Sequence, residues 1–338
     1  MTRTSPMIEA EGVKKAFGKA VALAGVDIHV DQGTVLSLLG RNGAGKTTFV
    51  RILSTLLAAD AGRVRLAGVD VRRDPATVRS LIGLAGQFAA VDEMMTGREN
   101  LELVGRLYGV RRREARARAD EVLERLGLTD AAGRLEHTYS GGMRRRLDLG
   151  ASLVGRPLIL ILDEPSTGLD PRSRVELWGL IDQLVGSGTT LLLTTQYLEE
   201  ADRLADRVAV VERGRMIADG TPGELKRRIG GDVLEVRATH SHDVERLVGV
   251  LRGLGPGQPV ADLRAQRVTL PTTERVPTLL AAARRIEDSG IPIVDLGVRG
   301  PSLDDVFLTL TGGAVPPLRA VPEAPRPAHR DVAQEAGA

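Results

Sequence analysis

The chain of 338 residues contains no cysteine, and aromatic side chains make up only 2% of it. Without cysteine, disulfide scaffolds, cysteine zinc sites, iron–sulfur clusters and thiol catalysis are excluded. Basic and acidic residues nearly balance, 46 against 44, so the charge does not indicate a nucleic-acid partner. The longest apolar runs fall far short of the roughly 18 to 20 residues that cross a bilayer, and residues 1–11 hold no apolar stretch of signal-peptide length. Hydrophobic residues nevertheless make up 42% of the chain, which predicts a globular protein of about two domains.

Short apolar runs alternate with amphipathic stretches from about residue 7 to residue 229. This alternation is typical of an α/β domain with a largely parallel sheet. Residues 88–157 carry helix patterns and almost no strand pattern, which predicts a helical subdomain inserted into the sheet domain. We therefore expect a first domain at residues 1–230.

Residues 231–312 show a different order of elements, namely strand, helix, strand, strand, helix and strand. This βαββαβ order predicts a small α+β, ferredoxin-like domain, which we call the accessory domain. A last helix at residues 303–310 is expected to close it. Residues 313–338 combine prolines with Ala, Gly and charged residues without a periodic apolar pattern, which predicts a disordered tail.

A glycine-rich segment follows the apolar strand at residues 35–39 and precedes a helix. This context predicts a phosphate-binding loop, because glycines let backbone amides converge on phosphate oxygens and the helix N-terminus attracts anions. Lys46 is expected to reach the β- and γ-phosphates, and the Thr47 hydroxyl is expected to bind Mg²⁺. The loop predicts that the protein binds a nucleotide, but it does not indicate which class of nucleotide-dependent protein this is. The candidate binding residues in the segment are Gly40, Asn42, Gly43, Ala44, Gly45, Lys46, Thr47 and Thr48.

Two adjacent carboxylates, Asp163 and Glu164, follow the apolar run at residues 158–162. Adjacent residues of a strand point to opposite sides, so the two carboxylates can serve different groups. We expect Asp163 to face the metal through water and Glu164 to act as the catalytic base that orients and deprotonates an attacking water. A solvated acidic turn is the alternative for this segment taken alone.

A second candidate anion site consists of Ser140, Gly141 and Gly142 at the predicted start of a helix. Free backbone amides and the helix dipole face the same point there. A helix cap alone would explain the serine. The position of the segment shortly before Asp163 and Glu164 favours an anion site over a helix cap alone.

These segments, together with Gln87 and residues 166–170, resemble the ATP-binding subunit of ABC transporters, a P-loop NTPase, over about residues 7–229. The resemblance implies ATP and Mg²⁺ as cofactors and a head-to-tail homodimer. In that dimer the serine-glycine-glycine signature of one protomer covers the γ-phosphate held by the phosphate loop of the other. The resemblance further implies that Gln87 links Mg²⁺ to the transmembrane interface, that Asp170 communicates across the dimer and that Phe17 stacks on adenine. A buried core position is the alternative for Phe17.

The chain departs from this family at the switch position, where a histidine is usual and Gln196 stands instead. An amide can donate a hydrogen bond to the γ-phosphate but cannot carry a proton or a positive charge. We predict that Gln196 takes part in catalysis by sensing the γ-phosphate, and that hydrolysis lacks any step that needs a protonated histidine. The signature also has Tyr139 and Met143 in place of the commoner leucine and glutamine.

The signature at residues 139–148, the segment at residues 194–202 and the segment at residues 303–308 together resemble the daunorubicin-resistance type of exporter ATPase. That resemblance implies a peripheral subunit on the cytoplasmic face of the cell membrane. It also implies a separately encoded integral-membrane permease that contacts a drug-like small-molecule substrate. An importer ATPase and a soluble ABC ATPase that acts on DNA or the ribosome are the alternatives. A P-loop kinase or GTPase would leave the signature unexplained.

No catalytic constellation stands out in the accessory domain. We expect it to pack against the permease or the second ATPase, the alternative being that it only covers apolar surface of the first domain.

Overall fold

The structure is a computed structural model and describes residues 6–86, 91–228 and 232–311. The strands in these ranges are β1 (Ile8–Phe17), β2 (Ala20–Val30), β3 (Val35–Leu39), β4 (Ala61–Leu66), β5 (Val69–Asp70), β6 (Ile82–Ala85), β7 (Ile159–Asp163), β8 (Thr190–Thr195), β9 (Arg207–Glu212), β10 (Arg215–Gly220), β11 (Asp232–Ala238), β12 (Val260–Asp262), β13 (Arg267–Thr272) and β14 (Ile293–Arg299). The helices are α1 (Lys46–Leu53), α2 (Pro75–Leu81), α3 (Gly97–Leu107), α4 (Arg112–Arg125), α5 (Gly141–Leu153), α6 (Pro171–Gly186), α7 (Leu198–Leu204), α8 (Pro222–Arg228), α9 (Val244–Leu251), α10 (Arg275–Ser289) and α11 (Leu303–Thr311).

The central sheet contains six strands in the order β10-β9-β3-β8-β7-β6. All neighbours are parallel except β10, which pairs antiparallel with β9. Every residue of β3, β7 and β8 is buried, which accounts for their nearly continuous apolar sequences. Because parallel strands end at one edge of a sheet, the segments that follow β3, β8, β7 and β6 meet there, and ligands of open α/β sheets bind at this edge.

A second, antiparallel sheet has the order β2-β1-β4-β5. Its inner face and that of the central sheet share one core, into which α1 contributes Phe49 and Leu53. The apolar patterns at residues 8–13 and 21–30 predict β1 and β2. They do not predict β4 and β5, because exposed Gly62, Arg63 and Arg65 interrupt the apolar run.

The described residues 91–157, between β6 and β7, form α3, α4, α5 and two 3₁₀ turns, without a named strand. The start of α3 is a capping box, in which the Thr96 side chain accepts from the Glu99 amide and the Glu99 carboxylate accepts from the Thr96 amide. Leu101, Leu123 and Leu147 bury one face of each helix in a common core.

The accessory domain has its own four-stranded antiparallel sheet in the order β12-β13-β11-β14. Its elements follow the predicted βαββαβ order, and α9 and α10 cover the sheet through Leu247, Leu251, Ala282 and Ile286. The ferredoxin-like classification of this domain stays a prediction.

The last helix does not close the accessory domain, and that expectation is wrong. Leu303, Val306 and Phe307 of α11 are buried instead against the first domain, in a cluster that includes Val208 and Leu225. Apolar residues at i, i+3 and i+4 form a single stripe on a helix. The accessory core is already covered by α9 and α10, so this stripe packs on the surface formed by α7, α8 and β9.

Arg299 at the end of β14 holds the start of α11, because its guanidinium contacts Asp305 at 2.6 and 3.1 Å. The predicted disordered tail, residues 313–338, lies outside the described residues. None of the described helices has the length and apolar character needed to cross a membrane.

Candidate nucleotide site

The predicted phosphate loop, residues 40–45, connects β3 to α1 at the edge where the parallel strands end. The Gly40 amide donates to the carbonyl oxygen of Thr195 at 3.2 Å, which fixes the start of the loop against the end of β8. A Cβ atom on Gly40 would lie 2.5 Å from the Val211 carbonyl oxygen. On Gly45, where φ is +109°, it would lie 2.5 Å from that of Ala22. Neither glycine can be replaced without moving backbone, so the sheets themselves define the path of the loop.

The other predicted residues of the loop and of the adjoining helix differ in their exposure to solvent. Asn42 and Gly43 are exposed, Ala44 is buried, and Thr47 and Thr48 are half-buried in the first turn of α1. The first turn of α1 contains no acidic side chain of its own, and the positive end of the helix dipole favours an anion there. Loop and helix therefore place backbone amides in one region, with Thr47 and Thr48 in the adjoining turn of α1.

Lys46 is almost fully buried and points back over the loop. Its ammonium donates to the carbonyl oxygens of Gly40 at 2.8 Å and Arg41 at 3.2 Å. It also lies 3.1 Å from the carboxylate of Glu164. The structure thus brings together two residues that are 118 positions apart in the chain and that were predicted to act on the same phosphate.

The predicted carboxylates Asp163 and Glu164 are both buried, so a solvated acidic turn is the wrong description of this segment. The Thr194 hydroxyl donates to the Asp163 carboxylate, and the Glu164 amide donates to the carbonyl oxygen of Thr194 at 3.0 Å. Glu164 has φ of +53°, a left-handed conformation that is strained for a side chain of this size. Contacts to β8 hold the turn in this geometry.

Gln196 lies in the bend between β8 and α7 and is half-buried. Its neighbour Thr195 is the residue that accepts the Gly40 amide, so the switch position adjoins the start of the phosphate loop. Gln87 lies outside the described residues. Gly86, one residue earlier, follows β6 at the same edge of the sheet.

The predicted signature lies at the start of α5, where the Ser140 hydroxyl caps the helix by accepting from the Met143 amide at 3.3 Å. Ser140 and Gly141 are exposed. A Cβ on Gly142 would meet the Ser173 hydroxyl at 2.5 Å, which places the signature beside the start of α6. Among the described residues, no hydrogen bond joins Ser140, Gly141 or Gly142 to the phosphate loop of the same chain.

Asp170 caps α6, and its carboxylate accepts from the Ser173 hydroxyl at 2.6 Å and amide at 3.0 Å. These hydrogen bonds lower the pKa of Asp170.

Phe17 ends β1 and is 52% exposed, so a buried core position is the wrong alternative for it. The Lys15 ammonium lies 5.7 Å from the centre of its ring. The ring is thus free to stack on a ligand, and the adjoining strand β2 contacts the phosphate loop at Ala22 and Gly45.

The departure at Tyr139 has a structural explanation. Its hydroxyl donates to the Ala131 carbonyl oxygen at 2.6 Å inside the helical core, and Gly97 leaves the space for the ring, because a Cβ there would lie 2.2 Å from that hydroxyl. The difference from leucine therefore concerns packing.

Two residues near the site were not predicted from the sequence. Arg145 of α5 donates to the carbonyl oxygens of Pro165 and Gly86, at 2.7 and 2.8 Å. Glu200 of α7 is fully buried and accepts from the Trp178 indole at 3.1 Å. Burial raises the pKa of Glu200, and hydrogen bonding opposes that rise. The run of three arginines at residues 144–146 is a sequence feature that could have drawn attention to Arg145. No sequence pattern marks Glu200.

The fold and the site together define a P-loop nucleotide-binding α/β protein with an exposed serine-glycine-glycine segment at the start of α5. The family described as ABC transporter matches residues 23–167. The daunorubicin resistance ATP-binding protein DrrA2 of Streptomyces coeruleorubidus is 55% identical over 90% of this chain and 95% of its own length. The doxorubicin resistance ATP-binding protein DrrA of Mycobacterium tuberculosis is 46% identical over 90% and 93%.

Solved structures agree with these relatives. An ATP-binding cassette of an ABC transporter, MJ1267 in its ADP conformation, has a TM-score of 0.60 at 28% identity, covering 65% of this chain and 93% of its own. The chain therefore belongs to the ATP-binding subunits of ABC transporters, and its activity is ATP hydrolysis. The resemblance to the daunorubicin-resistance type is confirmed.

Proposed function

We propose that the chain hydrolyses Mg-ATP to power export of a drug-like amphiphile through a separately encoded membrane permease, from a peripheral position on the cytoplasmic face of the membrane. The observation that supports this most is the likeness to drug-resistance ATP-binding proteins, which extends over nine-tenths of the chain and includes the accessory domain. The geometry of the site supplies the chemistry.

Each predicted residue within the described ranges has a role that its position allows. Lys46 and the amides of residues 40–45 bind the phosphates, and Phe17 stacks on the adenine. Glu164 is the base that holds and deprotonates the attacking water, and Gln196 donates an amide hydrogen bond to the γ-phosphate.

The residues present suit Mg²⁺. The Thr47 hydroxyl and the Asp163 carboxylate supply oxygen, the ligand that Mg²⁺ prefers, and Gln87 would add an amide oxygen. The described residues contain no group of three or more His, Asp or Glu side chains that could hold a metal alone. Mg²⁺ is bound by few protein oxygens together with substrate phosphates. When bound, the ion would neutralise charge on the phosphates.

The exposed signature supports a head-to-tail homodimer. The capped amide end of α5 makes no hydrogen bond to the phosphate loop of its own chain within the described ranges, so it is free to face the ATP of a second protomer. Asp170 caps α6, and Ser173 of the same turn lies beside Gly142. In such a dimer Asp170 would face the contact between the two protomers.

Isolation of the native chain from detergent-solubilised cells, followed by mass spectrometry, tests the proposal. We expect a polytopic membrane protein in stoichiometric amount. Ribosomal or DNA-associated partners without a membrane protein would overturn the transporter assignment in favour of a soluble ABC ATPase. Transport direction is tested with membrane vesicles that contain the complex in either orientation. Movement of the substrate toward the side that carries the ATPase would indicate an importer.

The accessory domain is proposed to contribute to assembly with the permease or the second ATPase. Deleting residues 232–338 should weaken complex formation. Full assembly and transport by the truncated chain would leave the accessory domain with a covering role only.

A further inference from the structure

Arg145 of α5 makes side-chain contacts with segments outside the helical subdomain. Its Nε donates to the Pro165 carbonyl oxygen at 2.7 Å, and one terminal nitrogen donates to the Gly86 carbonyl oxygen at 2.8 Å and to Asp148 at 3.0 Å. The other terminal nitrogen lies 3.4 Å from the Glu164 carbonyl oxygen. The side chain thus leaves the helical subdomain and binds the ends of β7 and β6 in the sheet domain.

These acceptors lie at the catalytic turn. Glu164 has a left-handed backbone conformation, which persists only where surrounding contacts impose it. Contacts from Thr194 hold the amide side of this turn, and Arg145 holds its carbonyl side. A planar guanidinium can serve several carbonyls at once, which a single ammonium cannot.

Ser140 and Arg145 are joined by a rigid element. Both belong to the start of α5, five residues and about 7.5 Å apart along the helix. Ser140 is exposed at the tip, whereas Arg145 is directed inward to the turn. A shift of the tip when it binds a phosphate therefore moves the group that holds the base.

We propose that Arg145 is a positioning residue that makes hydrolysis at one ATP site depend on ATP at the other. It does so because α5 presents Ser140 to the ATP of the partner while it holds the Glu164 turn of its own protomer. This inference rests on the head-to-tail dimer proposed above. Each protomer then contains one link, so the dependence is reciprocal.

The neighbouring Arg144 provides a matched control. Its guanidinium contacts Glu136 at 3.2 Å and the His137 carbonyl oxygen at 3.0 Å, both within the helical subdomain. It occupies the same helix and has the same chemistry but does not contact the catalytic turn. Arg144→Gln should leave turnover within about twofold of the native chain.

The first experiment compares Arg145→Gln, Arg145→Lys and Arg144→Gln in the full chain. Arg145→Gln should lower kcat by about tenfold or more, because small displacements of a catalytic group are costly. The Hill coefficient for ATP should fall from about two to about one. Arg145→Lys should resemble Arg145→Gln, because charge without the fork cannot hold several carbonyls. Unchanged cooperativity in Arg145→Gln, with native thermal unfolding, would overturn the proposal.

A second experiment uses mixed dimers with two affinity tags, in which Glu164→Gln in one protomer leaves a single hydrolytic site. When Arg145→Gln is in the protomer with the intact Glu164, single-turnover hydrolysis should slow by about tenfold or more. When both changes are in the same protomer, the remaining site keeps its own Arg145 and should stay within about threefold of the control dimer. The reverse pattern, or equal effects in the two mixed dimers, would overturn the proposal that Arg145 positions Glu164 of its own protomer. A general folding defect would slow both mixed dimers and would not produce a difference between them.

Failure of the dimer itself is recognised separately. Glu164→Gln with native Arg145 should form an ATP-dependent dimer on size-exclusion chromatography. If it stays monomeric with saturating Mg-ATP, the head-to-tail arrangement is wrong and this inference is overturned with it. If it dimerises, the mixed-dimer result judges Arg145 alone.

Discussion

The Lys46 ammonium lies 3.1 Å from the Glu164 carboxylate, and both side chains are almost fully buried. The same ammonium also donates to two carbonyl oxygens of the phosphate loop. A phosphate that approaches Lys46 therefore competes with Glu164 for it. In the proposed mechanism, binding of the γ-phosphate and release of Glu164 are thereby linked by one ammonium group.

Glu164→Gln should abolish turnover while ATP binding is kept. The amide preserves the shape of the side chain but cannot accept a proton from water, and a positioned general base contributes about a hundredfold or more to the rate. Phosphate release and ATP-dependent dimer formation measure the two effects. Glu199→Gln, an exposed position on α7, is the control and should retain native turnover. Full activity of Glu164→Gln would show that the base is misassigned.

Gln196→Ala should lower kcat by about tenfold, the value of one lost hydrogen bond of about 1.4 kcal/mol in the transition state. Steady-state hydrolysis at saturating Mg-ATP measures this. Gln183→Ala on the exposed face of α6 controls for loss of an amide elsewhere. Equal turnover in Gln196→Ala and the native chain would refute phosphate sensing by Gln196.

Gln196→His should introduce a pH dependence that the native chain lacks. Histidine titrates at a pKa of about 6.5, so its charge at the switch position changes between pH 5.5 and 8, whereas the amide does not titrate. The ratio of variant to native kcat across this range is the measurement. A ratio of kcat values that stays constant across this pH range would show that a titrating side chain at the switch position does not affect hydrolysis.

Glu200→Gln should change how stability depends on pH. Because burial raises the pKa of Glu200 in the folded state, the folded chain holds this proton more tightly than the unfolded chain. The contribution of Glu200 to stability is complete below the unfolded pKa, near 4.5, and is lost as the pH rises through the folded value. Thermal midpoints from pH 5 to 8 should therefore shift in favour of Glu200→Gln as the pH rises. A pH-independent difference between Glu200→Gln and the native chain would contradict the expectation.

Phe307→Ala should destabilise the packing of α11 by about 3 kcal/mol, the usual cost of removing a buried aromatic ring. Leu310→Ala, on the same helix but 40% exposed, should cost under about 1 kcal/mol. Urea unfolding followed by circular dichroism compares the two variants. Similar destabilisation by both would mean that α11 is not held by the stripe of Leu303, Val306 and Phe307.

Much of the candidate site was predictable from local sequence. Gly40, Gly45 and Lys46 were predictable because the backbone geometry of a phosphate loop needs those residue types at that spacing, and the buried strands β3, β7 and β8 have uninterrupted apolar sequences. The exposure of Phe17 agrees with its predicted stacking role, although no local pattern separates a stacking ring from a core ring.

Contacts to the backbone of distant segments were not predictable. Arg145 binds the carbonyl oxygens of Gly86 and Pro165, and every residue has such an oxygen, so no side-chain pattern marks the acceptor. The α11 stripe was visible in the sequence, but its partner surface was not, since Val208 and Leu225 lie in elements that meet only in the folded chain.

Strand β8 lies between β3 and β7 in the sheet, although it follows both in the chain. During synthesis the phosphate loop emerges long before Thr194 and Thr195, the residues that hold Glu164 and Gly40 in place. A nascent chain therefore cannot complete its nucleotide pocket until β8 has left the ribosome. The apolar surface around Leu225 stays uncovered for longer still, until α11 has been synthesised as well.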